Sequence, residues 1–220
     1  MSNKNDQEEF KSYAEKTQKF TEGMMGLFSI PIILKQAKGE QFENIQEELF
    51  SVVEKTEFSQ MDGWTSDTHM LSKDPFNSNI IIDHQCNQFI NFLEECLSEY
   101  VGEVNGSDNF GYDIQESWIT KTLKGKFAHE HHHGTSDISG VYYINTNTDD
   151  GNLAFDNIHS QMSGNYIFAS LPSKQPMPLK NGLLILWPGP LKHGTWVNNT
   201  DNERLSLSFN IFMGRKGYRI

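Results

Sequence analysis

The period of the hydrophobic positions changes near Gly111. Upstream, Phe42, Ile45, Leu49, Val52 and Val53 recur every three to four residues, and Ile82, Phe89, Ile90, Phe92, Leu93, Leu97, Tyr100 and Val101 do so over a longer stretch. That spacing lays apolar side chains along one stripe of a helix. It predicts one helix over about 42–53 and a long one over 80–104, closed by the turn chemistry of Asn105-Gly106-Ser107-Asp108. Downstream the pattern is β. Strands are predicted over 114–123, 126–133, 139–145, 153–155, 166–169, 183–187, 193–197 and 204–212, with Gly, Pro, Asn and Asp in the breaks. Two weaker signals precede them: the apolar run 27–34, which Pro31 marks as an edge strand, and Gly63-Trp64-Thr65, a turn before a short strand through Leu71. About eight short strands behind a helical half predict a mainly β jelly-roll barrel with helices over one face. The polar, Lys/Glu-rich residues 1–25 read as a loosely attached leader, with Phe10, Tyr13, Ala14 and Thr17 at spacings that suit a short helix. Residues 26–220 then form a single domain, with helical support over 26–110 and a barrel core over 111–213.

Charge narrows the partners. Across 220 residues, 29 acidic side chains outnumber 18 basic ones, for a formal charge of −11, which disfavours a nucleic-acid backbone as ligand. No apolar stretch reaches the roughly twenty residues of a membrane span, and the polar N-terminus is unlike a signal peptide, so a soluble, cytoplasmic protein is expected. Cys86 and Cys96 fall in one predicted helix without a Cys-x-x-Cys pair, which argues against a structural zinc site or a disulfide scaffold.

The chemistry concentrates in Ala128-His129-Glu130-His131-His132-His133. On an extended strand His129, His131 and His133 share one face while Glu130 and His132 share the other. Packing alone is a poor use of four imidazoles in five positions, since each needs hydrogen-bond partners when buried. Two on one face can grip a metal. The buried run 182–187 leads through Pro188-Gly189-Pro190 to His193, a turn able to return a third imidazole to the same rim. Arg204 then opens an alternating strand, with Arg204, Ser206, Ser208 and Asn210 on one face and Leu205, Leu207, Phe209 and Ile211 on the other. Alone, such a strand turns its polar face to water. Inside a small barrel the polar face is the interior, and Arg204 with Ser206 offers a fork and a hydroxyl to a carboxylate. His69 and His84 lack paired neighbours and read as surface or satisfied histidines.

His-x-His, Ser139-Gly140-Val141-Tyr142-Tyr143, Gly151-Asn152-Leu153-x-Phe155, Trp187-Pro188-Gly189-x-Leu191-x-His193 and Glu203-Arg204-Leu205-Ser206-x-Ser208-Phe209-Asn210 follow one another in an order that resembles the 2-oxoglutarate- and Fe(II)-dependent oxygenases of phages and marine bacteria. The resemblance covers roughly 118–212, with a weaker echo in 27–31. It implies a double-stranded β-helix, the cupin-like jelly-roll, holding non-haem Fe(II) on His131, His133 and His193, with positions open to cosubstrate and molecular oxygen. It further implies that Arg204 binds the far carboxylate of 2-oxoglutarate, assisted by Ser206, with Tyr143 as a second contact. The reaction implied is hydroxylation of a small-molecule or peptide substrate with decarboxylation of 2-oxoglutarate to succinate.

One departure stands out: the wider superfamily places Asp or Glu where this chain has His133. An imidazole leaves the ion's charge less balanced than a carboxylate does. Asp137, four residues on, is an alternative carboxylate ligand, and His129 is an alternative if the strand register differs. Two other readings stay open, a three-histidine cupin-type enzyme that does not use 2-oxoglutarate and a non-catalytic ligand-binding barrel. His132 reads as a support behind the ligands or a residue in solvent, and His159 as an exposed loop histidine first and a substrate contact second. Phe155, Trp187 and Trp196 read as core first and pocket wall second.

Overall fold

A computed structural model describes residues 29–73, 78–106, 110–158 and 172–214. The chain divides into two units, Met1–Ile30 and Pro31–Ile220; the second carries everything below. The leader, the strand expected at 166–169 and His159 lie outside the described residues.

Pro31 is followed by β1 (Ile33–Gln36), and the edge position expected there is what the sheet shows. Next come α1 (Gly39–Val53), β2 (Phe58–Ser59), β3 (Met70–Ser72), α2 (Ile80–Asp83) and α3 (Asn87–Asn105). The remaining strands are β4 (Gly111–Thr122), β5 (Ile138–Asn145), β6 (Leu153–Asp156), β7 (Lys174–Pro176), β8 (Leu183–Pro188), β9 (His193–Thr195) and β10 (Arg204–Gly214). A seven-stranded sheet runs β1-β8-β5-β10-β4-β3-β2 and a three-stranded sheet runs β7-β6-β9. All their pairings are antiparallel. Three strands of the larger sheet come from the helical half, two of them, β1 and β3, near the strands expected around 27–34 and at Leu71.

One face of that sheet carries the core. Ile45 and Leu49 of α1, Phe89, Leu93 and Leu97 of α3, and Tyr142, Leu184, Leu207 and Phe209 of the sheet are all buried in one cluster. Phe89 meets Tyr142 and Phe209 edge-on at 5.4 and 5.6 Å. Each such side chain contributes roughly 1.5–3 kcal/mol by leaving water, so the helices are held on the sheet by this face. The other face of β10 is equally buried: Arg204, Ser206 and Asn210 are 2, 6 and 3% exposed. The polar side of the alternation is therefore the interior of a barrel, not a wet surface.

Three expectations need correction. The helix predicted over 80–104 is broken at Gln85, where φ is 52°. Ile82 consequently stands 50% exposed while Ile80, Ile81 and Cys86 are buried. The break suits contacts far away in sequence. Asn79 Nδ2 donates to Ile114 O and Ile81 N to Ser117 Oγ, pinning α2 to β4. The orphan N–H groups of Gln88 and Phe89 at the start of α3 donate to Glu48 of α1, both at 3.0 Å, a capping role filled across helices. The strand predicted over 126–133 is not one either. Its backbone bonds divide among Asp67, Gly189, His193, Thr195 and Asn198, so it forms isolated bridges, Thr68 with Phe127 and His131 with His193. β9 also ends at Thr195, short of the expected Val197. The short strands β2 and β7 had no sequence signal.

Candidate metal centre

His131 and His193 are bound to each other's backbone, His131 N to His193 O at 2.8 Å and His193 N to His131 O at 2.9 Å. His133 N donates to Gly189 O at 2.9 Å. The Pro-Gly turn after β8 thus holds the third histidine of the cluster as well as returning His193. Only glycine fits there, because a Cβ on Gly189 would lie 2.3 Å from Ser136 O and 2.7 Å from His133 O.

The three rings converge. Their centroids are 4.5 Å (131 and 193), 5.0 Å (131 and 133) and 5.3 Å (133 and 193) apart, and one ligand atom from each lies within 4.8 Å of the others. Hydrogen bonds fix two tautomers. Nδ1 of His131 faces His129 O at 2.7 Å and Nδ1 of His193 faces Leu191 O at 2.8 Å. A carbonyl only accepts, so both Nδ1 atoms carry the proton and both Nε2 lone pairs are free for a ligand, the usual backing for a metal-binding imidazole. Nδ1 of His133 lies 3.1 Å from Asn210 Nδ2. Burial first, and the neighbouring histidines second, lower the pKa of all three, that of His193 to about 3 and that of His133 to about 4. At neutral pH they are unprotonated, the state a metal requires.

Behind the cluster a chamber of about 70 Å³ lies between the two sheets, walled by Tyr143, Trp187, Arg204, Ser206, Thr120 and Thr195 together with the three histidines. That is room for roughly five water-sized groups, the scale of a small metabolite. Arg204 donates through Nη1 to Asp150 O and Gly151 O and through Nη2 to Thr122 and Thr195 Oγ1. It pairs with no carboxylate among the described residues. Asp150, whose charge it feels, has its own oxygens occupied by Thr146, Asn147 and Asn202. Burial pushes the guanidinium pKa down and that of the Tyr143 hydroxyl up to about 12. A buried cation without an anion costs several kcal/mol. The indole Nε1 of Trp187 is likewise buried and has no acceptor among the described residues.

The alternatives named from sequence fall elsewhere. Asp137 Oδ2 accepts from Met213 N at 2.7 Å, on β10. His129 Nε2 meets Thr65 Oγ1 at 3.2 Å and its ring packs on Phe127. Glu130 pairs with Lys174 and Lys192, His84 follows α2 on the surface, and Trp196 is 47% exposed. Phe155 and Trp187 pack around His193, at 5.9 and 4.8 Å. His69, expected to be a surface or satisfied histidine, is the latter: it is buried, its Nδ1 faces Phe127 O at 3.1 Å, and it borders the chamber, a place the sequence did not indicate. Its only signal is the pairing of β3 with β4, which cannot be read from the chain.

Residues 116–210, a little under half the chain, match the protein family described as "Putative 2OG-Fe(II) oxygenase". Solved structures share the architecture. The non-haem α-ketoglutarate-dependent epimerase SnoN from nogalamycin biosynthesis aligns with a TM-score of 0.58 at 11% identity, over 85% of this chain and 81% of its own. HygX from Streptomyces hygroscopicus, with nickel, 2-oxoglutarate and hygromycin B bound, gives 0.55 at 12% over 86% and 84%. A Pseudomonas putida prolyl-4-hydroxylase gives 0.52 at 13% over 86% and 94%. At these identities the likeness establishes the fold, a double-stranded β-helix. No curated relative matches the sequence. The family match points to a class, the 2-oxoglutarate- and Fe(II)-dependent oxygenases, enzymes that take iron as cofactor and 2-oxoglutarate as cosubstrate, and the three-histidine cluster could hold such a metal.

Proposed function

We propose that this protein hydroxylates a small-molecule or peptide substrate, with His131, His133 and His193 holding Fe(II) and Arg204 holding the far carboxylate of 2-oxoglutarate. The observation that carries the reading is the shared chamber, which has three unprotonated imidazoles at its mouth and a buried guanidinium lacking an anion in its wall. The donor set fits iron: imidazole suits Fe(II), and two of the three Nε2 lone pairs are set free by carbonyls. The far end fits a carboxylate, because Arg204 is a buried cation held in place by four protein acceptors; a carboxylate takes its remaining Nε–H or displaces the Thr122 and Thr195 hydroxyls from Nη2. Bound iron supplies oxygen activation coupled to decarboxylation of 2-oxoglutarate to succinate.

The chain's own part is positioning. Ser206 and Tyr143 pair across β10 and β5, and among the described residues neither hydroxyl is engaged by another protein group, so both remain available to the carboxylate beside Arg204. Trp187 and Phe155 pack against His193 and keep water from its inner side.

The cluster contains no carboxylate, and this favours one second reading, a three-histidine enzyme that works without 2-oxoglutarate. The test separates the two. Fe(II) and 2-oxoglutarate are added without oxygen to metal-free protein and to Arg204→Met while the visible spectrum is recorded. An absorption band that needs both additions and is lost in the variant supports the oxygenase reading. Iron binding with no such band overturns it in favour of the second.

A further inference from the structure

A second cavity, about 390 Å³, adjoins His131 and His133 and is walled by Trp64, Trp118, Leu71, His69 and Glu116. The indoles flank the way to the cluster, Trp118 at 5.8 Å from the His133 ring and Trp64 at 5.1 Å from that of His69. Beyond the indole N–H groups and the histidines of the 129–133 segment, its polar groups are acceptors. His69 Nδ1 faces Phe127 O, so its proton is spent there and the Nε2 lone pair remains. Thr68 donates its hydroxyl proton to Thr65 O. Glu116 accepts from Asn210 Nδ2, and no Lys or Arg pairs with it among the described residues. Among the described residues no Lys or Arg lines the cavity.

Such a site offers an anion only histidines and indole N–H groups. Its aromatic faces, lone carboxylate and imidazole lone pair are the parts that hold a cation on an apolar stem. We propose that this cavity is the substrate site and that it selects a cationic substrate, an ammonium or guanidinium whose charge rests on Glu116 beside the indole of Trp118. Identifying it as the substrate site rests on the reading of the three histidines as iron ligands. Glu116 and His133 share the same Asn210 amide, so a cation on Glu116 lies one side chain away from the cluster and the apolar stem has the metal within reach. The two compartments then sort their ligands by charge. The Arg204 chamber takes the dianionic cosubstrate, and the Glu116 cavity repels it.

The test is a tryptophan-fluorescence titration with n-hexylammonium, hexanol and hexanoate, run on metal-free protein and on protein loaded anaerobically with Fe(II) and 2-oxoglutarate. Glu116→Gln removes the charge but keeps an oxygen for Asn210, so the wall holds its shape. Hexylammonium binds about tenfold tighter than hexanol, the size of a charge pair partly withdrawn from water, and hexanoate binds more weakly than either. Glu116→Gln abolishes that tenfold preference and leaves hexanol unchanged. Equal binding of ammonium and alcohol, a preference that survives in Glu116→Gln, or no saturation by any probe overturns the proposal. A parallel titration with Nα-acetyl-lysine amide distinguishes a peptide side chain, if it binds tighter than hexylammonium, from a free amine, if weaker; both results support a cation site. Failures of the two readings are distinguishable. Ammonium preference without the visible band keeps the cation cavity and removes the oxygenase, whereas the band without ammonium preference removes the cavity assignment alone.

Discussion

Arg204→Met should separate folding from cosubstrate binding. The guanidinium makes four hydrogen bonds to the protein, each worth roughly 1.5–3 kcal/mol when one partner is charged. Against this stands a cation buried to 2% exposure without an anion, at a cost of several kcal/mol that methionine, with a similar stem, does not incur. The terms oppose each other, so the ligand-free variant should lose far less in denaturant unfolding than the roughly 6–12 kcal/mol the four bonds alone would suggest. Affinity for 2-oxoglutarate has no such offset. Losing the buried partner of a carboxylate costs about 2–5 kcal/mol, which at 1.4 kcal/mol per decade is a loss of roughly 30-fold to several thousandfold. Calorimetric titration of 2-oxoglutarate into Fe(II)-loaded protein under nitrogen measures it, with iron affinity as the control. Arg204→Lys should recover little, since an ammonium cannot reproduce the fork. Cosubstrate affinity within about threefold of the parent in Arg204→Met would refute the reasoning and leave Arg204 a purely structural cation.

Other substitutions probe the cluster and its supports. Asp137→Asn should leave Fe(II) affinity within about twofold, because its carboxylate serves Met213 N; a tenfold loss would make Asp137 a ligand. Gly189→Ala forces a methyl against the carbonyls of Ser136 and His133 and should weaken metal binding by at least about tenfold in a protein that still folds, the overpacking costing roughly 1–3 kcal/mol. Unchanged metal affinity would show that the turn does not position His133. Acid should destabilise the metal-free protein. Burial holds the pKa of His69 in the folded protein at about 4, against 6.5 for an ordinary histidine, so its contribution is fully present above pH 6.5 and is lost as pH falls toward 4. The loss is about 3 kcal/mol, and His133 and His193 act in the same direction. His69→Phe should therefore flatten the fall in unfolding free energy over that range, and an unaltered slope counts against a buried neutral His69.

Local periodicity determined much of this protein. The stripe of Ile45, Leu49 and Val52 lies against the core, and the alternation from Arg204 to Ile211 is a strand whose apolar face meets the helices. Each is a repeat within one element, which is why the chain alone displays it. The types of the site residues were legible too, since imidazoles and a lone arginine in an apolar strand announce chemistry wherever they lie. Tertiary structure decided what depends on partners distant in sequence. Gln85 breaks a helix whose apolar spacing runs on unbroken, because Ser117 and Glu48 supply hydrogen bonds that only the fold brings near. The histidine segment has strand-like alternation but no continuous neighbour, so its shape follows β9 and the Gly189 turn. That the polar face of β10 looks inward, and that Arg204 has no acid to pair with there, depends on a second sheet closing over it. Hydrophobic burial is non-directional and can be read as a pattern; hydrogen bonds and charge pairs need particular atoms at particular distances, and those exist only once the chain has folded.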